Sequence, residues 1–453
     1  MSTDLWQPEQ DVVSAELQSG DIYRPEFLEL VKSTITALDG DLFKLSQDIH
    51  SLPETRFEEF HAHDVLTAYL ETQGFEVTRK YLLETAWVAK YSHGSGGRTL
   101  GVNSEMDALP GIGHACGHNL IAIAGVAVAC AVKAALIKFD IAGTVVLLGT
   151  PGEEGGAGKA ILLERGAYEG LDACLMCHPA PGPPFSASLS SCLARQRVDV
   201  EFVGHTAHAA LSPWEGQNAL DAAVISYTNI SMLRQQLKPT HRVHGIIEGK
   251  DWTPNIIPDY AKMIWYVRAP TRPKVDVAVE RIKKCFEGAA LATGCRAKIE
   301  MGNGTFELRQ NKALSDEFSD VFAKTAGPID FVHGISQAST DFGNVTYALP
   351  AIHPSFAIPT SGGNHTKAFT DAAATKESHT ACLKVSEALA ATGLRLLADG
   401  DFFNKVRETF AEDLRVRERE SEKVKGKART LGFLTSYLTL AMKMYMQYNH
   451  MGV

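Results

Sequence analysis

The chain has 453 residues, 45% of them hydrophobic, and its formal net charge at pH 7 is -9. This composition is typical of a globular protein, and the length exceeds what one hydrophobic core usually serves, so two or more domains are expected. The surplus of acidic residues argues against nucleic acid as a partner, because no excess of lysine and arginine exists to neutralise phosphates.

The N-terminal residues and the apolar runs of the chain bear on targeting and membrane insertion. The first residues lack the basic and apolar regions of a secretory signal, and no run reaches the roughly 20 uninterrupted apolar residues of a spanning helix. We therefore expect a cytoplasmic protein with no membrane span, in which the eight cysteines form no disulfide framework. Residues 431–448 are apolar but interrupted by Lys443 and Gln447, which predicts an amphipathic C-terminal helix.

The first part of the chain alternates between helical and strand-like patterns. Helical periodicity covers 26–50 and 57–73, and Thr55 and Glu58 form a capping-box pattern at the start of the second helix. Further helices are predicted at 120–138 and 157–166, and strands at 75–81, 87–91, 99–104, 144–149 and 173–178. Strands that are apolar throughout predict an α/β fold with a largely parallel sheet covered by helices on both faces.

From about residue 195 the order changes to strand, helix, strand, strand, helix, strand. The runs lie at 198–203, 219–237, 241–247, 261–268, 275–292 and 296–300. This order predicts a compact α+β unit of the split βαβ, ferredoxin-like type. Helix–strand alternation returns after residue 306. The predicted layout is a discontinuous catalytic domain over 25–193 and 307–453, with a smaller domain inserted over 194–306.

A glycine-rich turn around Cys116 and His118 is the first candidate metal site. Residues two apart on a helix point away from each other, but Gly117 permits a sharper turn that would bring both side chains to one ion. Thiolate and imidazole are ligands of zinc-like metals, and the N-terminus of the following helix would help to keep Cys116 ionised. A free thiol in an ordinary glycine-rich turn is the alternative interpretation.

Glu153 and Glu154 directly follow the apolar strand at 144–149 and form the second candidate. Carboxylates at the carboxyl edge of a parallel sheet lie where α/β enzymes place their sites. Adjacent side chains diverge there, so one can bind a metal ion while its neighbour acts as a general base on water. An exposed acidic turn is the alternative.

Other candidates also lie near predicted strand ends or in loops. His178 ends the strand at 173–178, Glu105 and Asp107 follow the strand at 99–104, and His365 lies in a glycine-rich loop. Each alone has an ordinary structural interpretation. Together with the first two sites they supply a cysteine, three histidines and a glutamate, which fits two ions sharing a bridging ligand. A nucleophilic cysteine–histidine pair is the competing chemistry, but it leaves the other histidines and carboxylates unexplained.

Several longer motifs allow comparison with known families, and they lie at 106–110, 114–122, 214–216, 218–223, 254–258 and 341–345. In these motifs the chain resembles the aminoacylase/carboxypeptidase metallopeptidase family (peptidase family M-twenty). The resemblance is to its amidohydrolase branch, in particular the β-alanyl-lysine dipeptidase (aminoacylase-1-like protein 2) group, and it covers most of residues 30–400. It implies a metal-dependent amidohydrolase or dipeptidase that hydrolyses the amide bond of a dipeptide or N-acyl amino acid.

The resemblance also implies roles for individual residues. Glu153 matches the general base of a reaction in which a hydroxide is held between two divalent ions. Asp107 matches a carboxylate that orients a metal ligand. Glu105 stands where distant members have a metal-binding histidine and is expected beside the ligands. The ions are expected to be zinc, with manganese or cobalt as alternatives. Their implied ligands are Cys116, which bridges, together with His118, Glu154, His178 and His365.

For the inserted domain the resemblance implies a lid that also forms a homodimer. His208 would stabilise the oxyanion, and Asn255 and Arg268 would bind the backbone or carboxylate of a small-molecule substrate. A surface role for Arg268 is the alternative. Asn119 and Ile121 depart from the residues of many branch members, which leaves substrate choice open. Two rival functions are an enzyme that forms or cyclises amides on the same site and a non-catalytic binding protein on a hydrolase fold.

Overall fold

The structure is a computed structural model that describes residues 22–330 and 337–430. The described residues form two units, the first within 22–194 and 303–413 and the second within 195–302 and 414–430. The sequence placed the inserted domain at 194–306 and everything from 307 to 453 in the other domain. The two descriptions therefore differ at residue 194, at 303–306 and in the segment after 413. The helix predicted at 431–448 lies outside the described residues.

The first unit contains most of the helices and strands. In chain order they are α1 (Pro25–Ser51), α2 (Phe60–Thr72), β1 (Glu76–Arg79), β2 (Trp87–His93), β3 (Arg98–Glu105), α3 (His118–Lys138), β4 (Gly143–Thr150), α4 (Glu153–Gly156), α5 (Gly158–Glu164), β5 (Ala173–Leu175), β6 (His178–Ala180), β7 (Ala187–Ser188), α8 (Lys312–Thr325), α9 (Phe342–Ala348), β12 (Ala351–Ile352), β13 (Ser355–Ala357), α10 (Lys367–Ala373) and α11 (Lys376–Ala398). A last helix, α12 (Gly400–Thr430), starts in this unit and continues past residue 413.

A six-stranded mixed sheet in the order β1-β2-β4-β3-β5-β12 forms the centre of the first unit. β4, β3, β5 and β12 pair in parallel, and β1 and β2 are added antiparallel at one edge. β3 is buried at every position from Leu100 to Glu105, as a strand covered on both faces must be. The prediction of a mostly parallel sheet covered by helices is confirmed.

α3 is the central helix of this core, and all its residues from His118 to Val132 are buried. Gly125 allows the helix to lie directly on β3, because a Cβ at this position would be 2.2 Å from Ser104 Oγ. Among the described residues, α3 alone has the length and apolar composition of a membrane-spanning helix. Its burial against the sheet is that of a core helix.

The single strand predicted at 173–178 is two short strands. β5 ends at Leu175 in the central sheet, whereas β6 begins at His178 and pairs with β13 in a separate three-stranded sheet. The prediction that His178 ends a strand was therefore wrong. The reason is that the partner segment also changes sheets, since the N–H groups of Met176 and His178 bond to the carbonyls of Ile352 and Pro354 in turn.

The second unit has the predicted order of elements. They are β8 (Ala194–Val203), α6 (Ala219–Leu233), β9 (Arg242–Gly249), β10 (Tyr260–Ala269), α7 (Arg272–Thr293) and β11 (Arg296–Thr305), with 3-10 turns at Pro213–Glu215 and Arg234–Gln236. The sheet order β11-β8-β10-β9 is that of a split βαβ fold, in which the first strand lies between the fourth and the third. The ferredoxin-like prediction is confirmed.

α2 begins three residues later than predicted. Phe57 has φ 62, in the left-handed region, so the helix cannot include it. Thr55 Oγ1 does bond to Glu58 Oε2 at 3.2 Å, but neither side chain caps the helix. The carboxylate of Glu54 instead accepts two backbone N–H groups in the first turn of α2. The capping-box prediction was wrong, because the segment before α2 is held by contacts with a distant part of the chain.

Candidate metal centre and active site

The site in the first unit is built at the carboxyl edge of the central sheet. Glu105, the last residue of β3, is the register partner of Thr150, the last residue of β4. The turns that follow these two strands therefore begin side by side. One carries Asp107 and leads to Cys116, and the other carries Glu153. Parallel pairing in this way brings together residues that are far apart in sequence.

The turn before α3 presents both Cys116 and His118 to this edge. Gly117 between them has φ 77, a conformation that residues with a Cβ rarely adopt. It is also closely covered, because a Cβ at this position would lie 2.5 Å from Pro179 Cγ. The expected sharp turn at Gly117 is thus present. The N–H of His365 donates to the carbonyl of Ala115 at 2.8 Å, which attaches the glycine-rich loop to the same turn.

The side chains of the five predicted ligands lie together. Cys116 Sγ is 3.4 Å from His178 Nε2, and His365 Nε2 is 3.1 Å from Glu154 Oε1. Three groups of three donors have all their ligand atoms within 4.8 Å of one another; Cys116 belongs to two of them, and the third contains His118, Glu153 and Glu154. The first group contains Cys116, His118 and His178, and the second contains Cys116, Glu154 and His365. This is the arrangement that two ions sharing one thiolate would require.

Carboxylate and carbonyl groups behind these donors fix their orientation. His118 Nδ1 lies 3.1 Å from Asp107 Oδ1, and the other oxygen of Asp107 accepts the N–H of Glu154 at 2.8 Å. His178 Nδ1 lies 2.8 Å from the carbonyl oxygen of Pro179, to which it donates. In the neutral form with the ring proton on Nδ1, each histidine has a lone pair on Nε2 for a ligand. Metal-binding histidines commonly have such partners.

The electrostatics of the site reflect closely spaced acidic groups. Burial, with the Glu154 carboxylate, raises the pKa of the Cys116 thiol well above its usual range. Burial and Glu154 also raise the pKa of Glu153 well above its usual range. Burial disfavours a charged His118, but Glu105 and other carboxylates outweigh it and raise the pKa of His118 well above its usual value. The expectation that the helix N-terminus helps to keep Cys116 ionised stays a prediction for the metal-bound site, because in the metal-free protein burial and Glu154 outweigh any such effect.

The donors fit a pair of divalent cations. His118 Nε2 and Glu154 Oε1 are buried and make no hydrogen bond among the described residues. Their polar neighbours are other charged groups of the site, Glu105 Oε2 at 3.3 Å and His365 Nε2 at 3.1 Å. Metal–ligand bonds of ~2.0–2.3 Å place neighbouring donor atoms roughly 3–4 Å apart, and the observed separations are 3.4 and 3.1 Å. Thiolate, imidazole and carboxylate together form a zinc-type donor set. A bound cation would also stabilise the Cys116 thiolate, which burial alone disfavours.

Cys116 Sγ lies within 3.4 Å of His178 Nε2, as a nucleophilic pair requires, but the electrostatics of the pair do not favour a nucleophilic thiolate. The raised pKa of Cys116 leaves little thiolate to attack a substrate. Its histidine neighbour, His178, has its pKa lowered well below the usual value by burial and by the nearby His353, so it would not supply a stabilising imidazolium.

A buried lysine beside the ligands was missed from the sequence. Lys159 Nζ is 2.8 Å from Asp341 Oδ1 and also contacts Glu105 Oε1, and all three side chains are almost fully buried. Glu105 Oε2 in turn lies 3.3 Å from His118 Nε2. Glu105 therefore lies beside the proposed ligands, as expected. The only sequence feature that could have indicated Lys159 is its position in an otherwise apolar predicted helix.

The other three predicted residues lie in the second unit. His208 is exposed, and its Nδ1 accepts the N–H groups of Ala210 and Leu211 at 3.2 and 3.1 Å. Asn255 lies near His208, because the carbonyl of Asn255 accepts the N–H of Ala209, the residue that follows His208, at 3.0 Å. Arg268 lies on β10 with its Nε 3.4 Å from a nitrogen of His244.

Residues 101–392 match the model of the family described as peptidase family M20/M25/M40. The Xaa-Arg dipeptidases of Mus musculus and Homo sapiens are 42% and 41% identical to the chain, each over 81% of this chain and 88% of the relative. One of the subunits of p-aminobenzoyl-glutamate hydrolase from Escherichia coli is 29% identical over 80% of this chain and 90% of its own length.

Solved structures show the same fold. A dinuclear metal binding peptidase of the M20 family from Bacillus subtilis superposes with a TM-score of 0.62 at 20% identity, covering 80% of this chain and 99% of its own. The aminobenzoyl-glutamate utilization protein of Klebsiella pneumoniae superposes with a TM-score of 0.64 at 18% identity, covering 82% of this chain and 99% of its own.

Proposed function

The chain belongs to peptidase family M20/M25/M40, and from that premise we propose that it is a two-metal dipeptidase. Its substrates in this proposal are dipeptides with a free C-terminal carboxylate, in particular those that end in arginine or lysine. The observation that carries the proposal is the pair of three-donor groups that share Cys116, with the carboxylate of Glu153 within 4.8 Å of donor atoms of His118 and Glu154. Similarity to two Xaa-Arg dipeptidases supports the substrate class.

The proposed metals are zinc ions, with manganese or cobalt as alternatives, since thiolate and imidazole are favoured zinc ligands. When bound, the two ions supply Lewis acidity at the scissile carbonyl. Cys116, His118 and His178 would hold one ion, and Cys116 would hold the other together with Glu154 and His365. Asp107 orients the imidazole of His118 and the backbone of Glu154.

Glu153 is the proposed general base. It takes a proton from the water that attacks the carbonyl carbon, and it then delivers that proton to the nitrogen as the C–N bond breaks. The products are two amino acids, one with a new carboxylate and one with a new amine. Burial and Glu154 raise the pKa of Glu153, which makes its carboxylate a stronger base toward the attacking water in the first step.

The second unit is proposed to supply an oxyanion donor and substrate binding. Because His208 Nδ1 accepts two backbone N–H groups, the neutral ring carries its proton on Nε2 and can donate it to a developing oxyanion. Asn255 and Arg268 are proposed to bind the substrate, and the planar guanidinium of Arg268 suits a carboxylate.

We also propose that the protein is a homodimer formed through the second unit. Val224 and Tyr227, one turn apart on α6, are 49% and 40% exposed, and Ile246 on β9 is 56% exposed. Apolar side chains on one small unit favour association. Sedimentation of the wild type and of Val224→Glu tests this, because the variant should be monomeric if α6 forms the interface. A monomeric wild type would contradict the dimer.

The activity is tested by incubating purified, zinc-loaded protein with dipeptides that end in arginine or lysine. The same dipeptides with an amidated C-terminus are the matched control. We expect hydrolysis of the free dipeptides, and a fall in kcat/KM of roughly 100-fold on amidation, the effect of removing a charged group that a site binds directly. Absence of metal-dependent hydrolysis across dipeptides and N-acyl amino acids would overturn the proposed function.

A further inference from the structure

Two segments of the first unit that are distant in sequence pack tightly on each other. The clamp segment, residues 55–59, precedes α2, and the glutamate turn, residues 151–158, follows β4 and carries both site glutamates. The ring of Phe57 covers the turn. A Cβ added at Gly152 would lie 2.7 Å from this ring, and one added at Gly156 would lie 2.5 Å from it. Only residues without a Cβ fit under the ring at these two positions.

Glu59 joins the same two segments by hydrogen bonds. Its Oε1 accepts the N–H of Gly152 at 2.8 Å and that of Phe57 at 2.9 Å, and its Oε2 accepts the hydroxyl of Thr85 at 2.6 Å. Glu59 is fully buried, so these donors would lose their partner in the interior if the carboxylate were removed. Glu59 therefore fixes the start of the glutamate turn relative to the clamp segment.

The backbone of Glu154 is held from both sides. Arg56 of the clamp segment donates from Nη1 to the carbonyl of Glu154 at 3.2 Å, and Asp107 accepts the N–H of Glu154 at 2.8 Å. The turn also closes on itself, since the N–H of Gly158 donates to the carbonyl of Gly152 at 3.3 Å. The clamp segment thus contacts the turn at its start, its middle and its end.

Both segments contain backbone in the left-handed region. Phe57 has φ 62 and Ala157 has φ 56, although each carries a Cβ. Such conformations are unfavourable and persist only where the surrounding structure enforces them, which is common near functional sites. Here the hydrogen bond from the N–H of Phe57 to Glu59 and the contact of its ring with the turn enforce the conformation of Phe57.

We infer that Phe57 and Glu59 are positioning residues that set the placement of Glu153 and Glu154. This inference rests on the proposed function for the roles of those two glutamates. The clamp segment contributes none of the proposed metal ligands and not the proposed base. It acts by keeping the turn in the one conformation that points Glu154 toward Cys116 and His365 and leaves Glu153 beside them.

The test compares Glu59→Ala with Glu59→Gln. Glutamine keeps an oxygen that can accept both N–H groups, whereas alanine removes it. Calorimetric titration of metal-stripped protein with Zn²⁺ should show that Glu59→Ala weakens zinc binding about 10–100-fold, the range typical when a group that orients a ligand is removed. Glu59→Gln should stay within about threefold of the wild type. Glu317→Ala, which removes another buried carboxylate of this unit, should leave zinc affinity unchanged.

Kinetics supply the second measurement. Glu59→Ala should lower kcat at least about tenfold and change KM little, because a displaced base and ligand affect the chemical step rather than uniform substrate binding. Wild-type zinc affinity in Glu59→Ala would overturn the inference. So would an equal loss in Glu59→Gln, since that outcome assigns the effect to the charge of Glu59. Zinc titration needs no substrate, so the inference can hold even if the wild type hydrolyses no dipeptide, in which case only the proposed function fails.

Gly156→Ala is a second variant in case Glu59→Ala does not fold. The added methyl group would meet the ring of Phe57, so the turn should shift and zinc affinity should fall. Adding Phe57→Leu vacates that space and should restore zinc affinity to within about threefold of the wild type. No loss in Gly156→Ala, or no recovery in the double variant, would overturn the inference.

Discussion

Cys116 Sγ lies 3.4 Å from His178 Nε2, although 62 positions separate the two residues in the sequence. The thiol also belongs to a second donor group, with Glu154 and His365, from which His178 is absent. In the proposed site His178 and His365 therefore bind different ions, whereas Cys116 binds both.

This sharing predicts different metal contents for two single variants. His365→Ala should retain one tightly bound zinc ion per chain and bind the other at least about tenfold more weakly. Cys116→Ala should weaken both ions, because each loses the shared ligand. Metal analysis after dialysis against a weak chelator distinguishes the two. Retention of one tight ion in Cys116→Ala would show that the thiol does not bridge.

Replacing Glu153 by glutamine should separate catalysis from metal binding. Glu153 is not needed by either donor group that contains Cys116, so Glu153→Gln should keep two zinc ions. It removes the proton acceptor, and kcat should fall on the order of 10²–10⁴-fold. Glu164→Gln on α5, a substitution of an exposed glutamate, is the control and should be fully active. Near-normal turnover by zinc-loaded Glu153→Gln would exclude Glu153 as the base.

The buried lysine should matter for folding. Lys159 is completely buried between Glu105 and Asp341, so Lys159→Met leaves two carboxylates without their cation. Breaking a buried ion pair from one side typically costs about 3–5 kcal/mol in the free energy of unfolding. Lys298→Met removes a pair in which the lysine and Glu300 are 62% and 61% exposed and should leave the free energy of unfolding nearly unchanged. Urea unfolding measures both, and equal losses would contradict a special role for burial.

The positions of the ligands relative to the sheet could be predicted well from sequence, because apolar strands followed by polar residues mark its carboxyl edge. Cys116, Glu154 and His365 were found by donor chemistry and glycine-rich surroundings, and the structure brings them together. The prediction of one strand ending at His178 was wrong, because periodicity gives no sign that a six-residue apolar run crosses from one sheet to another.

What the sequence did not reveal are contacts between segments far apart in the chain. Thr55 and Glu58 have the spacing of a capping box, yet Phe57 is held in the left-handed region by a carboxylate that also bonds to Gly152. Local propensity favours the helix there, and tertiary packing overrides it. The partners of Lys159 are 54 and 182 positions away, beyond the reach of any local pattern.

Glu59 should make stability depend on pH. Burial, together with the charge of Asp107, raises the pKa of Glu59 from 4.5 to about 7 in the folded protein. A raised carboxyl pKa means that the folded state keeps a proton that the unfolded state has released, so this contribution is present in full below pH 4.5 and is lost as the pH rises through 7. At 1.36 kcal/mol per pKa unit, the loss between pH 4.5 and 7 is about 3 kcal/mol.

Glu59→Gln is neutral at every pH and serves as the reference for this prediction. In metal-stripped protein, the wild type should be as stable as the variant or more so near pH 5, and should lose stability relative to it toward pH 8. The free energy of unfolding in urea, measured for both proteins across this range, gives the difference directly. A difference that stays constant with pH would mean that Glu59 is ionised throughout, and that the hydrogen bonds from Gly152, Phe57 and Thr85 outweigh its burial.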